Sequence, residues 1–210
     1  MTQPRRPHPL HVLDLAQTRA AAVIATVRLD QLDRPTPCDL WDVRDVLNKL
    51  VASTLVFTSF GRREAPDPTL DLVNPIDIIG DDPLGAFQDA ASACRAAWRA
   101  DGALDGTAPS TVGDAPAKAV LHARIFDTTV LGTDIARATG VAHGIDELQA
   151  AYVLRIARAL VPTVRGVSEE RYRPAVEVSD GVELVDELLA VTGRDPAWQP
   201  PPRDGEGAMT

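Results

Sequence analysis

Apolar side chains recur at steps of three and four residues through most of this chain, which is the period of an α-helix. Leu13, Ala16, Ala20, Val23 and Val27 set a first helix over 10–29, which runs out before Pro35 and Pro37. Asp39, with Asp42 three residues on, predicts the capped start of a second helix over 40–61. That helix carries two stripes, Val43–Val46–Leu47–Leu50–Phe57 and Lys49–Ala52–Ser53–Val56–Phe60, so neighbours should surround it. Residues 62–82, with Pro66, Pro68 and Pro75, lose the period and read as a long loop of the lid or binding kind.

A third helix fits 83–101, opened by Pro83 and apolar through Phe87, Ala90, Ala91, Cys94 and Trp98. Gly102 to Gly113 forms a Gly/Thr/Ser-rich connection. A fourth helix over 115–139 has Asp114 and Pro116 as start signals and Gly140 as its stop. A fifth over 146–164 follows Leu148, Val153, Ile156, Leu160 and Val161, loosened at Pro162. An extended piece, Pro174 to Val178, precedes a last helix for which Asp180 and Glu183 form a capping pair. Residues 1–9 are expected to be a flexible start and 199–210 a disordered tail, around one domain over 10–198. The expected fold is an all-α four-helix bundle with an extra C-terminal helix and a short extended segment.

Composition narrows the partners more than the fold. With aromatics at only 4%, Ala, Val, Leu and Ile must fill the core. A net charge of −9 opposes phosphate backbones and anionic membrane surfaces, so no nucleic-acid or membrane partner is expected. No segment approaches the ~20 apolar residues that cross a bilayer. Arg5, Arg6, Pro7 and His8 lead into no long apolar run, so no signal peptide is expected and the location should be cytoplasmic. Cys38 and Cys94 form neither a disulfide framework nor a paired metal motif, and both read as structural thiols.

Three stretches carry a resemblance. Leu32 to Ser53 (LDRPTPCDLWDVRDVLNKLVAS) is similar to TPC-x-x-W-x-V-x-x-L-x-x-H-L-V. Asp127 to Gly140 (DTTVLGTDIARATG) is similar to E/D-x-L-V-H-G-W-D-L-A-R-A-T-G, and Leu188 to Trp198 (LLAVTGRDPAW) to a common C-terminal ending. In this order and spacing they resemble the DinB-like, mycothiol-dependent maleylpyruvate isomerase family. The resemblance implies a four-helix bundle holding a divalent metal at one end. Its ligands would be a His on the second helix, then an acid and a His one turn apart on a later helix. Here those positions are Lys49, Asp127 and Leu131, and Thr133 replaces the usual Trp. Ammonium and aliphatic groups donate nothing to a metal, so no cofactor is expected, and mycothiol enters only through the resemblance.

The predicted site is therefore Lys49 and Asp127, with His122 as a further acid/base candidate. Leu131, Trp41, Val56, Arg124 and Asp134 are the expected pocket residues. Lys49 is expected either to pair with a buried Asp127 or to snorkel to solvent and leave Asp127 at a wet cavity mouth. Asp134 and Arg137 are expected in an ion pair or capping network, Trp41 as a packing anchor and His143 on a surface loop. Three functions stay open. The first is a metal-free protein whose bundle-end cavity binds a small organic molecule, as a binding or regulatory protein or a degenerate enzyme. The second is a repurposed metal-independent isomerase or cyclase using Lys49 and Asp127. The third keeps a metal on Asp127 and His122 and uses mycothiol as an isomerase or transferase. The expected partner is a small ligand or substrate, and a homodimer is allowed.

Overall fold

The computed structural model describes residues 7–39, 41–167 and 173–202. Residues 1–6 of the expected flexible start and 203–210 of the expected tail lie outside them. Six helices are described: α1 (Pro9–Ile24), α2 (Val43–Arg62), α3 (Pro83–Arg99), α4 (Ala117–Thr139), α5 (Glu147–Val167) and α6 (Leu184–Val191). A short antiparallel pair, β1 (Thr107–Ala108) and β2 (Ala115–Pro116), sits within the connection before α4. The all-α expectation holds.

Helices α1 and α2 each pack against both α3 and α4, which closes a four-helix ring; α5 lies on α4, and α6 on α5. The apolar spacing explains α4's central place. Leu121, Ile125, Phe126, Val130, Leu131 and Ile135 point in several directions around it, and all are buried. Its threonines are buried too, and each returns its hydroxyl to the carbonyl one turn back. Thr128, Thr129, Thr133 and Thr139 donate to Arg124, Ile125, Thr129 and Ile135, each at 2.8 Å. A buried hydroxyl satisfied in this way avoids the desolvation penalty of an orphan group. Gly140, at φ +75°, takes the left-handed turn that ends the helix, as expected.

Several boundaries differ from the sequence reading. α1 stops at Ile24 because its buried stripe ends there, and the chain passes through a 3-10 turn at Leu29–Gln31. α2 starts one turn late: Asp42 caps the Asp45 N–H at 2.9 Å and the Asp45 carboxylate reaches back to Asp42 N at 3.4 Å. Asp39 instead meets Arg173 at the surface. α5 runs through Pro162, held by buried Val161 and Val164 on either side. Its inner face is Ala150, Val153, Leu154, Ala157 and Val161; Leu148 points outward at 59% exposure. The expected Asp180–Glu183 capping pair does not form, since Gly181 turns the chain at φ +83° and Glu183 gives α6 no side-chain cap.

The C-terminal ending is bolted to α4. Asp134, at 0% exposure, accepts Arg194 Nε at 2.7 and 3.0 Å and Nη2 at 2.7 Å, in a fork-like pairing. Arg137, one turn along, donates to Asp186 and to the Pro196 carbonyl, both at 2.5 Å. Burial pushes the Asp134 carboxyl up and the Arg194 guanidinium pulls it back. Removing one partner strands the other, so Arg194→Met should destabilise by about 3–5 kcal/mol in urea unfolding. Joint replacement, Asp134→Leu with Arg194→Met, should recover most of that loss; equal losses would show that the pair is not what holds the ending.

Candidate functional site

Arg124 on α4 is the largest charged group in the interior, fully enclosed at 0% exposure. Its Nη1 donates to Ser53 Oγ on α2 at 2.6 Å, and its Nε and Nη2 share Thr128 Oγ1 at 2.8 and 2.6 Å. The guanidinium lies 5.6 Å from the centre of the Phe57 ring, within cation–π range. Spacing produces this cluster: Arg124, Asp127 and Thr128 fall within one turn, and Ser53 faces them from α2.

Asp127 is the counter-charge. Its Oδ2 stands 3.2 Å from Arg124 Nη1, with the side chain 22% exposed. The same oxygen is buried and receives no hydrogen bond. The two facts are compatible, because proximity supplies Coulomb attraction while the alignment of a hydrogen bond is missing. Asp127 is thus neutralised but not saturated.

Lys49 does not supply that charge. Its ammonium donates to the Leu72 carbonyl and lies 5.5 Å from the centre of the Trp41 ring. Of the two expectations for Lys49, the pairing with Asp127 gives way to the outward one, and Arg124 takes the role of cation. A lysine stem carries its charge past the bundle wall from a half-buried position four residues before Ser53. Lys49 therefore works on the 63–82 segment. Asn48 Oδ1 accepts the Ile78 and Ile79 N–H groups at 2.8 and 3.1 Å, and Arg44 reaches Asp77 at 3.5 Å. Leu70 and Leu72 pack against the core cluster containing Phe57, and Ile79 is buried. Asp71, held below the usual carboxylate range by the Asn74 and Val73 N–H groups, also feels the Lys49 charge. The long loop is thus fastened along α2.

The remaining predicted residues separate. Leu131 is buried among Leu47, Leu50 and Ile135 as core, and Val56 is buried beside Phe57. Asp134 is committed to Arg194. His122 lies apart, with Nε2 at 3.0 Å from Tyr152 Oη and the rings edge-on. Burial lowers the His122 pKa, and Arg155, which stacks on Tyr152, lowers it further. Cys94 is sealed in the core, where burial raises its thiol pKa, and Cys38 is half-buried. The sequence reading named Arg124 only as a pocket residue; its three-residue spacing from Asp127 was the available signal. Nothing in the spacing pointed to Ser53, Tyr152 or Arg194, which arrive from other elements.

The donor set does not suit the family's metal. Asp127 is the one ligand-type side chain of the three positions, Lys49 is turned to Leu72, and Leu131 is enclosed by hydrocarbon. Among the described residues no group of three or more His, Cys, Asp or Glu is placed to hold a metal ion. His122, the fallback ligand, has Nε2 engaged with Tyr152.

Two outcomes follow from this geometry. Lys49→Met should let chymotrypsin cut at Leu70 and Leu72 about tenfold faster, the loss of one charged hydrogen bond. Global urea stability should fall by less than the local change, and unaltered cutting would remove the fastening role. His122 has a folded pKa below its unfolded value near 6.5, so the unfolded chain takes up the proton first. Stability is therefore full above about pH 6.5 and declines on acidification. His122→Phe should flatten that slope between about pH 7 and 5 in denaturant titrations, and an unchanged slope would assign it elsewhere.

Comparison with known proteins agrees with this architecture. A family model described as the mycothiol maleylpyruvate isomerase N-terminal domain matches residues 13–136. The uncharacterized proteins Rv0738 and MT0763 of Mycobacterium tuberculosis, from strains ATCC 25618 / H37Rv and CDC 1551 / Oshkosh, are each 33% identical over 159 residues. Those alignments cover 75% of this chain and 82% of theirs. Two crystal structures of mycothiol-dependent maleylpyruvate isomerase, one of a histidine-to-alanine mutant, match with a TM-score of 0.57 at 14% identity. They cover 72% of this chain and 67% of their own, a likeness that speaks to the fold alone. With the model match spanning more than half its length, this chain belongs to the mycothiol maleylpyruvate isomerase N-terminal domain family.

Proposed function

We propose that this protein is a metal-independent member of its family that binds a small organic molecule at the Arg124–Asp127 site. One observation carries the reading: Asp127 Oδ2 is buried, charged against Arg124, and lacks a hydrogen-bond donor. A buried acceptor left open costs about 1–3 kcal/mol, a penalty that a ligand N–H or O–H removes. The ligand class is therefore a small polar compound presenting a donor, with its apolar part toward Phe57 and Val56. Mycothiol, named for the solved relatives, is a first compound to try. Acid/base catalysis by Lys49 and Asp127 is disfavoured because the two groups serve different partners.

The test combines thermal shift, elemental analysis and turnover on the full chain. Mycothiol and a panel of small hydroxy and amino acids are screened against wild type and Asp127→Asn. A bound ligand at about 100 times its Kd stabilises by about 2.7 kcal/mol, or roughly 5–10 °C in Tm, and Asp127→Asn should lose most of the shift. Stoichiometric zinc or nickel in protein purified without chelator would overturn the metal-free reading. Turnover abolished by both Lys49→Met and Asp127→Asn would replace the binding role with acid/base catalysis.

A further inference from the structure

A groove of about 230 Å³ opens between the C-terminal half of α1 and the α4–α5 connection. Its walls are Ala22, Val23, Val141 and Ala142, with Arg19 and His143 at the edges. A narrow recess shares Arg19, Val23 and His143 and continues inward between α1 and α4 to Thr128 and Thr129. Small residues make this room: a Cβ added at Gly132 would already touch the Ala20 Cβ at 3.4 Å. None of Lys49, Asp127 and His122 lines either space.

Three polar side chains line this groove, and one of them, Thr26, donates its hydroxyl to the Val23 carbonyl at 2.7 Å. Arg19 is engaged by Asp146 and Gln149, so its charge is met by the protein. His143 Nδ1 accepts the Ile145 N–H at 3.0 Å, which requires that nitrogen to be unprotonated. The neutral ring then carries its proton on Nε2, an uncharged donor at the edge of an apolar wall. Half-burial favours that neutral ring, as do the charges of Arg137 and Arg19; Glu183 and Asp186 oppose them. A volume of this size is below that of sites for drug-sized ligands, which start at roughly 300 Å³, so the occupant must be compact.

We propose that this groove is a second small-molecule site, separate from Asp127, for a compact apolar compound whose single uncharged carbonyl oxygen accepts from His143 Nε2–H. A carboxylate is the wrong chemistry here, since Arg19 is already neutralised and Asp146 stands beside it. The apolar body lies against Val23, Val141 and Ala142, and its far end points at the recess floored by Thr128. Because Thr128 Oγ1 also holds Arg124, the recess and the Arg124–Asp127 site meet at that one side chain. The proposal does not depend on a ligand at Asp127.

Cyclohexanone and methylcyclohexane titrated into the isotope-labelled full chain, followed by amide NMR, test it directly. The ketone should give saturable shifts confined to residues 19–26 and 141–145, with the hydrocarbon about tenfold weaker, the worth of one hydrogen bond. Ala22→Trp fills the groove and leaves the imidazole in place, so it should abolish the shifts. His143→Phe should bring the ketone down to the hydrocarbon's affinity, and His143→Gln, which keeps an N–H, should recover part of it. Equal affinity for ketone and hydrocarbon, shifts on residues 49–56 and 124–131 instead, or no saturation would each overturn the assignment. Ala22→Trp also keeps the test decisive if His143→Phe fails to fold.

Discussion

A guanidinium with no access to solvent has to be matched inside the protein, and the bundle is arranged around that requirement at Arg124. Ser53 and Thr128 take its hydrogen bonds, Phe57 offers its ring face, and Asp127 supplies the opposite charge. These partners come from α2 and α4, so satisfying one side chain fixes how the two central helices face each other. A charge left uncompensated there would destabilise by several kcal/mol. Asp127 is therefore needed by the fold whether or not it meets a ligand. That gives Asp127 a structural role that needs neither Lys49 nor Leu131.

A second ion pair ties the other half of α4 to the end of the chain. Asp134 is buried and has Arg194 alone among its described neighbours as a side-chain donor, and Arg137 draws in Asp186 and the Pro196 carbonyl. Two of the three family-like stretches, 127–140 and 188–198, thus meet in space. Their joint presence in the sequence has a physical cause: Asp134 of the first stretch is buried against Arg194 of the second. The first stretch meets α4 through Ser53, so all three converge on one helix.

Much of the fold could be read from periodicity, and much of the site could not. Phe87, Ala90, Ala91, Cys94 and Trp98 fell on one face of α3 because a three-and-four spacing leaves a helix no other choice. Gly140 marked the end of α4 because its backbone turn suits glycine. Boundaries failed where two residues of one type compete for one role, as when Asp42 rather than Asp39 became the cap of α2. Leu148 has the spacing of a core position, yet it is exposed because α5 turns Ala150, Val153, Leu154 and Ala157 inward. The site was harder still. Spacing within α4 put Arg124 near Asp127, but the reach of Lys49 to Leu72 depends on how a 20-residue loop folds back, which no local pattern encodes. Arg194 and Tyr152 are partners across 60 and 30 residues of chain, set by tertiary packing alone.

The fastening of the 63–82 segment comes from a side chain at one of the positions where the resemblance implies a metal ligand. An imidazole at position 49 is short and planar, and can coordinate a cation without leaving the bundle. A lysine at the same Cα is longer, carries a strongly hydrated charge, and is driven to place its ammonium against a backbone carbonyl at the wall. Leu72 offers that carbonyl, and Trp41 offers a ring beside it. A lysine there thus offers no inward ligand and, in the same step, adds an outward tether to the 63–82 loop.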